Sequence, residues 1–208
     1  MHLKRQKAST KLPIPRKGTK FIARALSHID NSVPVVIAVR DMLKLAKNTE
    51  EVKKMIQNKL LKINGRFVKD YRHSIKLFNI FEAGKSYFLT ILPTRKFAFE
   101  ETKDKNLRLC KMINKKILKD GIIQLNLHDG SNVISKDKIP VGDSVYLDFE
   151  GKIKKHVSLE KGKKIMIITG KYLGLRGNIE SLKENKLIIS LDDKNKSAEL
   201  KSWQVVAI

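Results

Sequence analysis

The first 24 residues contain eight lysines and arginines and no aspartate or glutamate. The cations are Lys4, Arg5, Lys7, Lys11, Arg16, Lys17, Lys20 and Arg24, and Pro13 and Pro15 stand among them. A segment this charged, with almost no apolar periodicity, does not bury enough surface to offset its own ordering entropy. The expectation is a basic N-terminal arm over residues 1–32, ordered only against something densely negative. Fully extended, an arm of that length reaches roughly 100 Å, well away from the body that carries it.

The rest of the chain has the same sign. Lys and Arg number 44 against 21 acids, a formal net charge of +23. That excess points to a polyanionic partner through steering and counterion release, and it says nothing about fold. Hydrophobic residues make up 41% of the 208, enough for packed cores behind the arm. A membrane surface is the other polyanion, but no apolar run approaches the roughly 18 residues of a spanning helix. The basic start lacks the apolar stretch of a signal peptide, and Pro13, Pro15 and Gly18 argue against the helix of a mitochondrial presequence. A cytoplasmic protein is expected. Cys110 is the single cysteine, and His2, His28, His73, His128 and His156 are scattered without ligand spacing. No internal disulfide, metal or cofactor is expected.

Behind the arm the pattern turns helical. Val35, Val36, Val39, Leu43 and Ala46 recur at helical spacing, with Pro34 placed for a first turn. Arg40, Lys44 and Lys47 would share another face of that helix. A second helix is expected from Asn48, whose spacing to Glu51 fits a capping box, with Val52, Met55 and Ile56 as its stripe and Lys53 and Lys54 off it. Asn64-Gly65 between two short apolar runs predicts a hairpin, decorated by Lys62, Arg66, Lys69 and Arg72. This helix–helix–hairpin unit occupies residues 33–92. Residues 93–158 read as a small central β domain, with strands around Leu109–Ile113, Ile122–His128, Asn132–Ile134 and Val145–Phe149. Residues 159–208 read as a second small barrel of strands and glycine turns. The fold class is α+β, mostly β.

Motifs that could carry chemistry have plainer explanations. Gly84-Lys85-Ser86 lacks the upstream glycine of a phosphate-binding loop and leads into a strand, so it reads as a tight turn. Gly170, Gly174 and Gly177 have the wrong spacing for a dinucleotide fingerprint and read as turn glycines, with Lys171 and Arg176 projecting from a loop that contacts phosphate. His128-Asp129 falls in a predicted hairpin turn and needs no catalytic role. Cys110 reads as a small core residue. Phe67, Tyr71, Phe97 and Tyr172 could stack on bases, although core positions are the commoner place for such rings.

Six segments together resemble a known family. They are His2-Leu-Lys-Arg5, Pro13-Ile-Pro-Arg-Lys-Gly18, Val39-Arg-Asp-Met-Leu43, Ile63-Asn-Gly65 with Lys69-Asp-Tyr71, Gln124-Leu-Asn-Leu-His-Asp-Gly130 and Thr169-Gly170. Their order and content resemble the "S four e" family of small-subunit ribosomal proteins of archaea and eukaryotes, over essentially the whole chain and in its archaeal form. The resemblance implies a ribosomal RNA-binding constituent of the small subunit, cytoplasmic, with neighbouring ribosomal proteins as further partners, and no enzyme. It also implies an S-four-type RNA-binding module in 33–92 and a KOW motif in an SH3-like barrel at the end. The chain departs from the family at Thr49-Glu50-Glu51, where an arginine usually opens the second helix. The residues expected to meet RNA are His2 and the arm's eight cations, then Arg40, Lys44, Lys47, Lys53, Lys54, Lys62, Arg66, Lys69, Arg72, Lys171 and Arg176. Two rival readings are a free or transcription-associated RNA-binding factor with a KOW-like barrel, and an RNA-modifying enzyme carrying the two-helix module. The stretch 93–158 is too short and strand-rich to supply the second rival's catalytic domain.

Overall fold

The computed structural model describes residues 2–102, 106–118, 121–183, 186–192 and 196–208; Met1, the first residue of the expected arm, lies outside them. The chain forms two compact units, Met1–Asn106 and Leu107–Ile208. Both are built mainly of antiparallel strands.

In the first unit the arm is folded back on itself, which corrects the extended expectation. Strand β1 (Leu3–Lys4) pairs with β2 (Phe21–Ile22), Leu3 opposite Ile22. Leu12 and Ala25 are buried, and the Phe97 amide donates to the Lys11 carbonyl at 2.8 Å. Leu12 and Ala25 thus anchor the arm, while Phe21 and Leu26 stay exposed.

Strand β3 (Ser32–Pro34) ends in the proline expected to start a helix. The helix that follows is a single π-helical turn, Ile37–Met42. The Leu43 amide reaches the Ala38 carbonyl, and Lys44 has a φ of 56°. Arg40, Lys44 and Lys47 accordingly share no helix face, a second correction. Residues Ser32–Val39 are all buried, so this segment has no solvent face of the kind helical periodicity assumes. Its β-branched run also resists α-helix. The second helix, α1 (Thr49–Gln57), forms as expected: the Asn48 side chain accepts from the Glu51 amide at 2.9 Å. Strands β4 (Leu61–Ile63) and β5 (Arg66–Phe67) make the expected hairpin, with Asn64 and Gly65 at φ 49° and 75°. Strand β6 (Ser74–Lys76) returns to pair with β3. Strands β7 (Ile80–Ala83), β8 (Lys85–Ile91) and β9 (Phe97–Glu101) complete a sheet of order β5-β4-β7-β8-β9, which runs on past residue 92. Gly84 at φ +77° makes the tight β7–β8 turn.

The second unit holds two five-stranded sheets. In the first, β10 (Arg108–Ile117) pairs with β11 (Ile123–Leu127) through its C-terminal half and with β13 (Ser144–Leu147) through its N-terminal half; β12 (Asn132–Ser135) and β14 (Ile153–Val157) are the edges. Cys110, Met112, Leu125, Val145 and Leu147 form its core. The second sheet has order β18-β17-β16-β15-β19, from β15 (Lys164–Ile167), β16 (Arg176–Lys183), β17 (Lys186–Leu191), β18 (Lys196–Lys201) and β19 (Val205–Ala207). Val157 and Tyr146 of the first sheet pack against its core of Ile165, Ile179 and Ile189. Gly170 and Gly174 take the positive φ of turn residues, but Gly177 lies inside β16. A Cβ on Gly177 would run into the Ser190 carbonyl oxygen of β17, so this glycine serves close backbone approach, not a turn. Among the described residues no helix is long and apolar enough to cross a membrane.

Candidate nucleic-acid interface

The arm is held shut by one side chain. Arg5 donates from Nε to the Thr19 carbonyl at 2.7 Å, from Nη1 to the Pro15 carbonyl at 2.8 Å and from Nη2 to Thr19 Oγ1 at 2.8 Å. The planar five-donor guanidinium suits such converging acceptors, where a lysine would satisfy one. Lys11 is similarly turned inward, donating to Asn31 Oδ1 at 2.5 Å, and partial burial lowers its pKa. His2 stacks at a tilt on Phe21, centroids 5.1 Å apart, and Lys20 lies over the same ring at 5.6 Å. Lys4, Lys7, Arg16, Lys17 and Lys20 face solvent, while Arg24 is half-buried. Of the arm's expected RNA contacts, Arg5 and Lys11 are thus committed to the fold.

Folding the arm back brings its cations to the body of the unit. A cavity of about 210 Å³ has Arg5, Pro15, Lys17, Arg40 and Asp41 in its lining. Arg40 there forms a two-pronged pair with Asp41, at 2.9 and 2.8 Å, and the hydrogen bond to Asp41 raises its pKa. Lys44 and Lys47 are exposed on the loop that follows.

A second cluster surrounds Tyr71. Lys53 Nζ from α1 lies 5.7 Å from the ring centroid and Arg72 Cζ lies 5.5 Å from it. Each cation also has an acid, Glu50 at 2.7 Å and Asp70 at 3.1 Å. The hydrogen bond from Arg72 holds the Asp70 carboxyl below its ordinary value. On the hairpin, Lys62 Nζ lies 5.1 Å over the half-exposed Phe67 ring. Arg66, Lys69 and Lys54 are exposed. Cations scattered from residue 40 to 72 thus come to one small unit with two aromatic rings beside them. In the second unit Lys171 lies 5.8 Å from the Tyr172 ring, and Arg176 is exposed at the start of β16. Phe97, weighed as a stacking ring, is core.

His128 and Asp129 are structural. The His128 Nδ1 accepts from the Lys111 amide at 3.1 Å. Asp129 is buried, ion-paired to Arg108 and hydrogen-bonded by the Ser131 amide and hydroxyl. Burial works to raise its pKa, yet Ser131 and Arg108 together hold it below the ordinary carboxylate range. Cys110 is buried, and burial pushes its thiol up to about 12, which keeps it unreactive. Among the described residues no group of three or more His, Cys, Asp or Glu could hold a metal ion. Two cations escaped the sequence reading. Lys96 reaches the Leu12 carbonyl at 3.5 Å, tying the arm to the β8–β9 turn. Lys111 is buried within unit two, where only its place in an apolar run (Leu109-Cys110-Lys111-Met112) hinted at it.

The sequence is 34% identical over 189 residues to the small ribosomal subunit protein eS4 of Methanocella arvoryzae, covering 88% of this chain and 81% of the relative. The chain belongs to the ribosomal family S4e. The model of that family matches residues 83–154. The eS4 protein of Methanocaldococcus jannaschii is also 34% identical, covering 83% of this chain and 78% of that protein. The crystal structure of the 30S ribosomal protein S4e from Thermoplasma acidophilum matches with a TM-score of 0.72 at 25% identity, over 86% of this chain and 95% of that one. The S4e match extends across both units, so the mostly β fold with few helices is that of the family. The free-factor alternative is not favoured by relatives of this kind.

Proposed function

We propose that this S4e protein is a structural constituent of the small ribosomal subunit, working in the cytoplasm, that binds ribosomal RNA and stabilises its folded form. The observation that carries the RNA contact is the gathering, in the first unit, of cations distant in sequence around two accessible rings, Tyr71 and Phe67. Phosphate contacts from Lys4, Lys7, Arg16, Lys17, Lys20, Lys54 and Lys69 neutralise closely packed backbone and release counterions. Contacts of this class position the protein without reading bases. Within the two units we assign the finer modules as the family suggests: the basic extension, an S-four-type module around α1 and the hairpin, a central β domain, and a KOW-type SH3-like barrel at the end. Lys171 and Arg176 are its phosphate-facing residues, and neighbouring ribosomal proteins are further partners. The protein acts as a scaffold and catalyses nothing.

Replacing Lys7, Arg16, Lys17 and Lys20 together by alanine tests this. Affinity for small-subunit RNA should fall, and the slope of log K against log salt should flatten by about one for each phosphate that is no longer neutralised. An unchanged slope would mean that the arm touches no phosphate. A tagged protein should also co-sediment with small subunits through high-salt washing; recovery only in free fractions would overturn the ribosomal assignment.

A further inference from the structure

The first sheet of the second unit carries a surface that its fold does not require. Strands β10, β11 and β12 are adjacent, and Asn114, Asn126 and Asn132 stand directly opposite one another across them. The next row on the same face is Lys116, Gln124 and Ile134. Leu125 and Val133, between these rows, point the other way into the core. With strands about 4.8 Å apart, the asparagine row is roughly 10 Å long. Asparagine is depleted in strands because it packs poorly on a pleated surface, so three in one row oppose local propensity. Such local conflict marks functional positions.

The amides are also not used up internally. Gln124 Nε2 donates to Asn126 Oδ1 at 2.9 Å, and Asn114 Oδ1 accepts from the Lys115 amide at 2.8 Å. No bond joins the three asparagines to one another, and the side chain of Asn132 has no hydrogen-bond partner among the described residues. Asn114, Asn132, Lys116 and Ile134 are exposed, and Asn126 and Gln124 partly so. On this face the three strands carry Lys116 and no acid, while Lys115 stands opposite Leu125 and turns to the Ile139 carbonyl on the other face.

We propose that this amide face binds the minor groove of an A-form RNA helix, reading ribose 2′-hydroxyls and base edges. The inference rests on the RNA-binding reading above and adds to it a contact of different chemistry. A carboxamide both donates and accepts, as a 2′-hydroxyl does, whereas a lysine only donates. The A-form minor groove is wide and shallow and displays those hydroxyls, which a flat sheet face can reach and a helix in a deep groove cannot. Lys116, in the next row of the same face, sits beside the asparagines to meet a flanking phosphate. The basic surface of the first unit supplies salt-dependent affinity, and the amide face supplies preference for RNA over DNA.

The test is a variant carrying Asn114→Val, Asn126→Val and Asn132→Val, which keeps good strand formers at all three positions and carries no hydrogen-bonding group. Affinity of the full chain for small-subunit RNA should fall roughly ten- to a hundredfold, from the removal of two or three hydrogen bonds. The slope against salt should stay unchanged, because no charge is removed. The ratio of affinities for an RNA duplex and a DNA duplex of the same sequence should fall toward one. Unchanged affinity and an unchanged ratio would overturn the proposal, as would a variant that binds RNA normally yet loses only a protein neighbour in the subunit. If the triple variant melts early, Asn132→Val alone, at an edge strand and without an internal bond to lose, carries the same comparison. Failure of the general RNA-binding reading looks different: the wild-type chain itself would then bind no small-subunit RNA.

Discussion

Replacing Lys111 by methionine should leave the fold intact and remove the contribution this side chain makes to the alkaline pH dependence of the second unit's stability. Lys111 is 3% exposed, and its Nζ donates to the carbonyls of Ser202 at 2.6 Å and Val205 at 2.5 Å. The bonds join β10 to the chain just before and within β19, so one ammonium links the two sheets. Burial lowers its pKa from 10.5 to about 8. In the unfolded chain the same group titrates near 10.5. Between those values the unfolded state binds more protons than the folded one, so stability rises with pH through this window. Below pH 8 the buried charge costs about 3.5 kcal/mol, from 2.5 pKa units at about 1.4 kcal/mol each.

Methionine has nearly the same length and no charge to desolvate. It forfeits two hydrogen bonds worth roughly 1 kcal/mol each. The Ser202 carbonyl keeps the Val205 amide as its donor, but the Val205 carbonyl is left without one, because Val205 stands opposite Ile167, whose amide already donates to the Leu175 carbonyl; that adds about 1 kcal/mol to the loss. The variant should therefore lie within about 1 kcal/mol of wild type at pH 7, and be less stable by about 3 kcal/mol at pH 10.5. Trp203, the single tryptophan, lies next to Ser202 and reports on this unit alone. Urea unfolding followed by its fluorescence at both pH values gives the difference, in which the titration of all other groups cancels. A wild-type minus variant difference that does not move between pH 7 and pH 10.5 would refute the reasoning, because it would show that the carbonyls fully compensate for burial.

Arg5→Ala should open the arm by removing three hydrogen bonds, about 2 kcal/mol after allowance for their exposure, and speed tryptic cleavage after Lys17 and Lys20 several-fold; a cleavage rate equal to wild type would show that Arg5 is not the staple. The same variant should weaken RNA binding while leaving the salt slope intact, since Arg5 is spent on the protein. Gly177→Ala should destabilise the second unit by about 3 kcal/mol through its collision with the Ser190 carbonyl, and an unchanged melting temperature would show that β16 and β17 part without strain.

What could be read from the sequence was local. The Asn64-Gly65 turn and the Asn48 cap depend on residues within three or four positions, and both formed as expected. The first helix was misread because helical spacing presumes a solvent face, and Ser32–Val39 has none. Strands β14 and β18 escaped because they are edges whose lysines, serine and glutamate obscure the alternation of their few apolar residues. Lys111 escaped for the opposite reason: β10 is buried on both faces there, so position in an alternating pattern no longer separates inside from outside.

The arm shows most clearly what a charge count omits. Its eight cations suggested a segment waiting for a polyanion, yet Arg5 finds acceptors in its own backbone and closes the segment without one. Other cations are likewise spent on the protein. Arg40, Arg72 and Arg108 are engaged with Asp41, Asp70 and Asp129, while Lys4, Lys7, Lys17, Lys20, Lys54 and Lys69 are exposed. A rigid fork of five donors is stabilised where several acceptors converge, which is what a folded chain provides; a compact ammonium on a flexible stem suits scattered phosphates. The formal charge of +23 therefore overstates what the surface offers a polyanion. Lysines such as Lys53 and Lys186 are spent on ion pairs as well, and on the proposed reading the exposed remainder, Arg16 and Arg66 among them, makes the electrostatic contact, with the amide face of β10–β12 adding the discrimination that charge alone does not supply.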